Sequence, residues 1–484
     1  MAAPAVPRCH LAPDLSISRI LTGLWQVADM ERDGATLDLT AAADAMGPYV
    51  AQGLTTFDMA DHYGSAELIA GRFRALHGPT SEHLTKWVPT PGPLTRDIVH
   101  TAVQRALDRL QADTIDLLQY HAWNYADPSW LDGLFWLDEL RQQGLIRHLG
   151  LTNFDTAHVR MVLHSGIPIV SNQICYSLLD QRAAHGMAEL CASHGVSILA
   201  FGTLAGGFLT DRWLNQPEPN WEHLATWSQM KYGRFIQAAG GWAKLQALLR
   251  VLHGIAKQHG VSIANIATRF ILDAPAVGGV IIGARLGQRT HIKDTLRMFS
   301  FDLDAADRAV ISDGLTHLRP IPGDTGDEYR KPPFLTASGD LSHHLDSMPV
   351  PFKPVHRPDD RRVVFSGTPW ESTAGYCRAM RKGDRILVSG TTATHRDVLI
   401  GGDDAESQTH FIIDKIEGAI QSLGGRLEDV VRTRLFVANT DDWEAVARAH
   451  GKRFATIHPT NTLVQAGLIG EGYLVEMEAE AWVG

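Results

Sequence analysis

Four side chains between residues 58 and 121 could together carry a hydride reaction at a carbonyl: Asp58, Tyr63, Lys86 and His121. Adding a hydride to a carbonyl carbon leaves an alkoxide that needs a proton. A free tyrosine, with a pKa of about 10, is a reluctant donor at neutral pH. An ammonium beside Tyr63 would favour its phenolate, and a carboxylate paired with that ammonium would hold it in place and keep it charged. Lys86 and Asp58 could fill those roles. Lowering a tyrosine by two to three pKa units corresponds to roughly 3 to 4 kcal/mol of differential stabilisation. His121 would then donate a hydrogen bond to the carbonyl oxygen and orient it. Any one of these residues is most often structural; their joint setting, each at the end of a candidate strand or in the turn after it, is what points to chemistry. In the turn Asp58-Met59-Ala60-Asp61-His62-Tyr63-Gly64-Ser65-Ala66-Glu67, Asp61 and His62 read as turn residues.

Residues so far apart converge only if the fold brings strand ends together. Eight short β-branched or aliphatic runs recur, at Ile20–Gly23, Thr55–Asp58, Leu84–Trp87, Ile115–His121, Ile146–Thr152, Ile169–Ile174, Ser197–Gly202 and Gly279–Gly283. Amphipathic stretches separate them, such as Ile98–Leu110, where Val99, Val103, Ala106, Leu107 and Leu110 share a helical face. Strand and helix alternating eight times predicts a closed (β/α)8 TIM barrel, whose active sites lie at the strand C-termini. No GxGxxG follows the first strand, so a dinucleotide would not be held in the Rossmann manner. The long connection 203–260 carries Trp213, Trp221, Trp227, Tyr232 and Trp242. These aromatics either wall a substrate site or pack the insertion's own helices.

The prolines and polar residues of 318–354 read as an interdomain linker lying over the surface. Beyond it, strands at Arg385–Ser389, Val431–Val437 and Tyr473–Val483 and helices at Thr409–Leu423 and Thr440–Phe454 predict a smaller α+β domain. The expected division is therefore a barrel over 1–317, a linker over 318–354 and a second domain over 355–484.

Composition narrows the function classes. The 484-residue chain is 44% apolar and 20% charged, and its formal net charge is -10. That charge argues against a broad nucleic-acid surface. There is no signal-peptide pattern and no long apolar run, so no membrane partner is expected and the cytoplasm is the expected location. The four cysteines, Cys9, Cys175, Cys191 and Cys377, form no CxxC pair, and no metal site is expected.

The turn from Asp58 through Tyr63-Gly64 to Glu67, with Lys86 and His121 after it, resembles the catalytic tetrad of the aldo-keto reductase family in order and setting. Ile146-Arg147-His148-Leu149-Gly150-Leu151-Thr152-Asn153-Phe154 is similar to that family's fifth strand. The resemblance spans about residues 15 to 315 and implies an NADP(H)-dependent reductase of an aldehyde or ketone, with Tyr63 as proton donor. It implies that Thr152, Asn153 and Gln173 hydrogen-bond the nicotinamide carboxamide and that Phe201 stacks on its ring. Gly202, Thr203 and Leu204 would line the pyrophosphate; Gly23, Leu24 and Trp25, with Asp58, would border nicotinamide and substrate. Gly283, Ala284 and Arg285 resemble the segment for the adenosine 2'-phosphate, where a guanidinium fork suits a phosphate. His291 stands where the family usually has Gln, and the stretch before it is longer by two residues.

Gly375-Tyr376-Cys377-Arg378-Ala379, the run Gly383 to Gly390, the segment Gly424 to Val431 and Val475 to Ala479 resemble the reactive-intermediate (imine/enamine) deaminase family, also called YjgF-like. That implies a chorismate mutase-like α+β fold and a homotrimer through the C-terminal domain. Asn461, in Pro459-Thr460-Asn461-Thr462, stands where the family has a carboxylate-gripping Arg, and a neutral amide cannot replace that clamp. Glu478 and Tyr376 match other site positions. The second domain is thus expected to serve assembly or altered ligand binding. Two further readings stay open: a redox-sensing nucleotide-binding module and a bifunctional reductase and imine deaminase.

Overall fold

The computed structural model describes residues 5–347 and 349–484. Eight parallel strands close into a barrel: β1 (Ile20–Gly23), β2 (Thr56–Asp58), β3 (Glu82–Trp87), β4 (Ile115–Tyr120), β5 (Ile146–Thr152), β6 (Ile169–Cys175), β7 (Ser197–Phe201) and β8 (Val277–Gly283). Closure comes from β8 against β1, with Val280 opposite Ile20 and Gly283 opposite Gly23. A hairpin of Arg8–Ala12 and Leu15–Ser18 precedes the barrel. Its Leu11, Leu15 and Ile17 pack on Leu21, Leu84, Leu117 and Leu199 from the barrel strands, forming an apolar plug. The sequence reading left this hairpin without an element.

The insertion after β7 divides its aromatics. Trp213, Trp221 and Trp242 pack with Phe208 into the insertion's own core. Trp227 and Tyr232, on the helix Trp227–Ala238, face the central cavity instead.

The C-terminal part is a seven-stranded sheet: β9 (Val355–His356), β10 (Arg362–Val364), β11 (Ala379–Lys382), β12 (Arg385–Thr392), β13 (Val430–Val437), β14 (Thr460–Gln465) and β15 (Val475–Trp482), in the order β9-β10-β11-β12-β15-β13-β14. The helices Ala405–Ser422 and Trp443–Phe454 cover one face. The other face is charged, with Glu480 between Arg385 and Arg432, and Glu478 against Arg434.

The helix Ala405–Ser422 is buried on nearly every side because it lies between its own sheet and the barrel. Gly418 permits that approach: a Cβ there would stand 2.2 Å from the Ala126 carbonyl oxygen. Polar bonds stitch the seam. His158 meets Asp155 at 2.7 Å and Asp414 at 2.9 Å, and Asp132 receives His395 at 2.8 Å and Arg396 at 2.9 Å.

The segment 318–354 is not a tether over the surface. Thr325, Glu328, Thr336 and Asp340 are buried, and the segment crosses the barrel mouth. Arg330 donates to the carbonyls of Ala122 at 2.9 Å and Asn153 at 2.6 Å. Gly326, at φ +82°, lies so close to Asn153 that a Cβ would stand 1.9 Å from its carbonyl oxygen. Composition alone suggested a linker; what binds the segment down are the buried polar and aromatic side chains set among its prolines and glycines.

Candidate active site

The C-terminal ends of the strands open into one cavity of about 730 Å³. Asp58 ends β2, Lys86 lies near the end of β3, His121 follows β4, and Tyr63 comes from the turn after β2. All four line the cavity. Lys86 Nζ donates to both Asp58 carboxylate oxygens at 2.8 Å and to the Met59 carbonyl at 2.7 Å. Those bonds use its three protons. The ammonium lies 4.9 Å from the Tyr63 ring centroid, and the Trp25 ring meets Tyr63 edge-on at 4.9 Å.

Two expectations for this group change. Lys86 does not pull Tyr63 down: burial, then the Asp58 charge, push its phenol well above the ordinary range. Burial and the Asp58 charge outweigh the attraction of the Lys86 ammonium, whose three donors go to Asp58 and Met59. Tyr63 is therefore a neutral phenol with its proton in place. His121 Nδ1 sits 3.3 Å from the Thr152 carbonyl, which can only accept, so this contact selects the Nδ1–H tautomer. Burial and the Arg330 charge hold the imidazole well below its usual pKa, so the ring is neutral. In that state Nε2 is an acceptor. Donation to a carbonyl oxygen needs the other tautomer, at the cost of one long bond.

Of the residues expected to meet a nicotinamide coenzyme, Gly23, Trp25, Asp58, Thr152, Asn153, Gln173, Phe201, Gly202, Thr203, Leu204, Gly283, Ala284, Arg285 and His291 all line this cavity. Leu24 does not; it is fully buried in the barrel wall, its amide donating to the Asp58 carbonyl at 2.9 Å, so its side chain belongs to the core. Gln173 spends its amide nitrogen on Asp58 at 2.7 Å and Gln119 at 2.9 Å. Only its oxygen is left to meet a ligand. Asn153, at φ +60°, has a buried Oδ1 with no partner, and Thr203 Oγ1 and His121 Nε2 are in the same position. Buried polar atoms are rarely left so, and three unspent groups around one cavity fit a ligand that brings several polar groups to it. Arg285 donates to Asp29 at 2.7 Å and to Gln26 at 3.2 Å, which steadies the guanidinium at the cavity rim.

Sequence reasoning missed Lys231, Tyr329 and Trp123. The His121 ring stands edge-on to Tyr329 at 5.9 Å and to Trp123 at 4.4 Å. The signal for Tyr329 was a run of charged and aromatic residues, Asp327-Glu328-Tyr329-Arg330, inside a segment otherwise built for loops.

In the second domain, Asn461 donates to Thr433 Oγ1 at 2.9 Å within the sheet, and Glu478 is paired with Arg434. Tyr376 accepts from Arg378 at 3.2 Å.

Comparison with known proteins agrees with both halves. The model of the Aldo/keto reductase family matches residues 19–313, and that of Endoribonuclease L-PSP matches residues 367–483. Protein tas of Escherichia coli is 29% identical over 318 residues, covering 57% of this chain and 88% of its own. An uncharacterized protein of Streptomyces coelicolor is 42% identical over 124 residues, 25% of this chain and 92% of its own. Among solved structures, the glycerol dehydrogenase of Gluconobacter oxydans matches with a TM-score of 0.53 at 23% identity, over 67% of this chain and 98% of that one, a likeness of fold. No helix among the described residues is long and apolar enough to cross a membrane. The chain belongs to the aldo/keto reductase family, as an oxidoreductase barrel to which a second domain of the Endoribonuclease L-PSP (YjgF) type is fused.

Proposed function

We propose that the barrel is an NADP(H)-dependent reductase that converts an aldehyde or ketone to an alcohol, with Tyr63 as the proton donor. The observation that carries this reading is the neutral, partly buried Tyr63 phenol beside the Lys86–Asp58 pair and a neutral His121, in one cavity. Phe201 offers a flat face for stacking, and Asn153, Thr152 and the free oxygen of Gln173 offer complementary groups for a carboxamide. Gly202, Thr203 and Leu204 would border the pyrophosphate. Arg285 favours a 2'-phosphate, for which its fork supplies charge-assisted bonds. The bound coenzyme supplies a hydride for the carbonyl carbon.

The chain's own work is to hold the carbonyl and deliver a proton. Tyr63 Oη gives its proton to the developing alkoxide, and the nearby Lys86 ammonium steadies the phenolate that results. Asp58 keeps that ammonium charged. His121 orients the carbonyl oxygen as the Nε2–H tautomer. Trp25, Trp227 and Tyr329 exclude water around the reacting atoms.

The second domain we read as a brace: it buries the helix Ala405–Ser422 against the barrel and leaves its charged sheet face outward, available for a homotrimer. Tyr63→Phe tests the main reading. NADPH binding, followed by nicotinamide fluorescence, should persist while turnover on any aldehyde falls about 100- to 10,000-fold, the usual worth of a general acid. Unchanged turnover would sink the assignment.

A further inference from the structure

Inside the same cavity stands a cation with no carboxylate in contact. Lys231, on the helix Trp227–Ala238, reaches inward until its Nζ lies 4.7 Å from the Phe201 ring centroid and 4.7 Å from that of Tyr329. It donates to Tyr329 Oη at 2.6 Å. Among the described residues no carboxylate lies within 4 Å of it. Glu328, whose charge favours the Lys231 ammonium, stands 2.9 Å from Arg182, which also holds Asp180 through two bonds at 2.8 and 2.7 Å.

A lysine enclosed in this way could have shed its proton. Burial does press against the charge, but Tyr329, Cys175 and Glu328 outweigh it and leave the pKa above its ordinary value. An ammonium that stays charged, faces a cavity and touches only aromatic faces and one hydroxyl is arranged to receive an anion. Its place decides which anion. Tyr329 also reaches the catalytic end, edge-on to His121 at 5.9 Å. The ammonium therefore serves the space in front of the carbonyl site.

We propose that the preferred substrate is a carbonyl compound that also carries an anionic group, a carboxylate or a phosphate. Lys231 grips that group and the Tyr329 hydroxyl assists, while the carbonyl points to Tyr63 and His121. The proposal rests on the reductase reading. Trp25 and Trp227 supply flat walls, which suit a planar body between the two polar ends. Lys231 is thus a specificity residue rather than a proton carrier: no proton moves through it, and the reduction balances as before.

The test compares 4-carboxybenzaldehyde with methyl 4-formylbenzoate, which share a ring and a carbonyl and differ in charge. In the full-length protein with NADPH, kcat/KM should favour the carboxylate at least about 10-fold, with the difference mainly in KM. Lys231→Met should lower that preference roughly 10- to 100-fold, the range expected for losing a charge-assisted contact. Lys231→Arg should recover part of it, and Tyr329→Phe should cost a smaller part.

A wild-type enzyme that reduces both aldehydes equally well would overturn the proposal and leave the reductase standing. So would a Lys231→Met protein whose losses are equal on both aldehydes, or fall on NADPH binding; the ammonium would then serve the coenzyme or the helix. If no aldehyde were reduced, terephthalate would still decide the matter. Quenching of tryptophan fluorescence by this dianion, weakened at least about 10-fold in Lys231→Met and absent for its dimethyl ester, supports the anion site without turnover. No terephthalate binding in the wild type overturns it.

Discussion

Replacing Asp414 with Asn asks whether the second domain is held to the barrel by charge. Asp414 accepts from His158 Nε2 at 2.9 Å and from Arg453, and its side chain is only 3% exposed. Burial favours the neutral carboxyl, yet Arg453 and His158 outweigh it and hold the pKa below the ordinary 3.8. His158 is pushed the other way. Burial disfavours its charge, but Asp155 and Asp414 together raise its pKa above 6.5. Removing one partner of a buried pair costs about 3–5 kcal/mol. Here the lower end applies, because Asn keeps one acceptor, His158 keeps Asp155, and Arg453 keeps Glu417. A loss of about 3 kcal/mol should lower the transition that carries the C-terminal domain by roughly 6–12 °C.

The assay is differential scanning calorimetry of the full chain, with each transition followed, since a two-domain chain need not melt in one step. The exposed Asp403, 3.6 Å from His164 and itself 99% exposed, provides the control. Asp403→Asn makes the same charge change and should leave the melt nearly unmoved. The pH dependence follows from the directions of the shifts. The raised His158 contributes stability that is complete below pH 6.5 and is lost as pH rises through its folded value. The depressed Asp414 contributes stability present above pH 3.8 and lost as pH falls through its folded value. The gap between wild type and Asp414→Asn should therefore be widest between those limits and narrow on both sides. A melt unchanged by Asp414→Asn, or a gap constant from acid to alkali, would refute the ionic account of the seam.

Two further outcomes follow from the site. Gly326→Ala places a Cβ against the Asn153 carbonyl at a φ of +82°, so the 320–346 segment must lift from the barrel mouth; kcat/KM should fall about 10-fold, whereas Gly339→Ala, at φ +76° with open space around it, should do far less. The pH profile of reduction should show no limb near 6.5, because His121 is held neutral, and it should decline only where Tyr63 loses its raised proton, above about pH 10. A limb at 6 to 7 in kcat/KM would mean an imidazolium is required.

Much of the barrel was legible because a parallel strand buried on both faces reads as an unbroken apolar run. Ile20–Gly23 and Ile146–Thr152 were placed to the residue, and the other barrel strands differed by one or two positions at an end. The second domain's edge strand Thr460–Gln465 was missed, since its exposed polar residues carry no such run. Residues 8–18 were missed because an apolar plug is recognised only by the cavity it fills.

Sequence by itself determined which chemistry was available and where along the chain it stood: Asp58, Tyr63, Lys86 and His121 at or just after successive strand ends. Those facts are local, set by residue type and period. Tertiary structure alone decided how the groups are used. It spent the lysine's protons on Asp58 and Met59 and left Tyr63 a neutral phenol, it turned Leu24 into the core, and it engaged the donor end of Gln173. It also laid a proline-rich segment across the mouth, so that Tyr329 and Lys231 entered a site that strand ends did not forecast. Distances between side chains remote in sequence decide proton affinity and contact, and no periodicity along the chain encodes them.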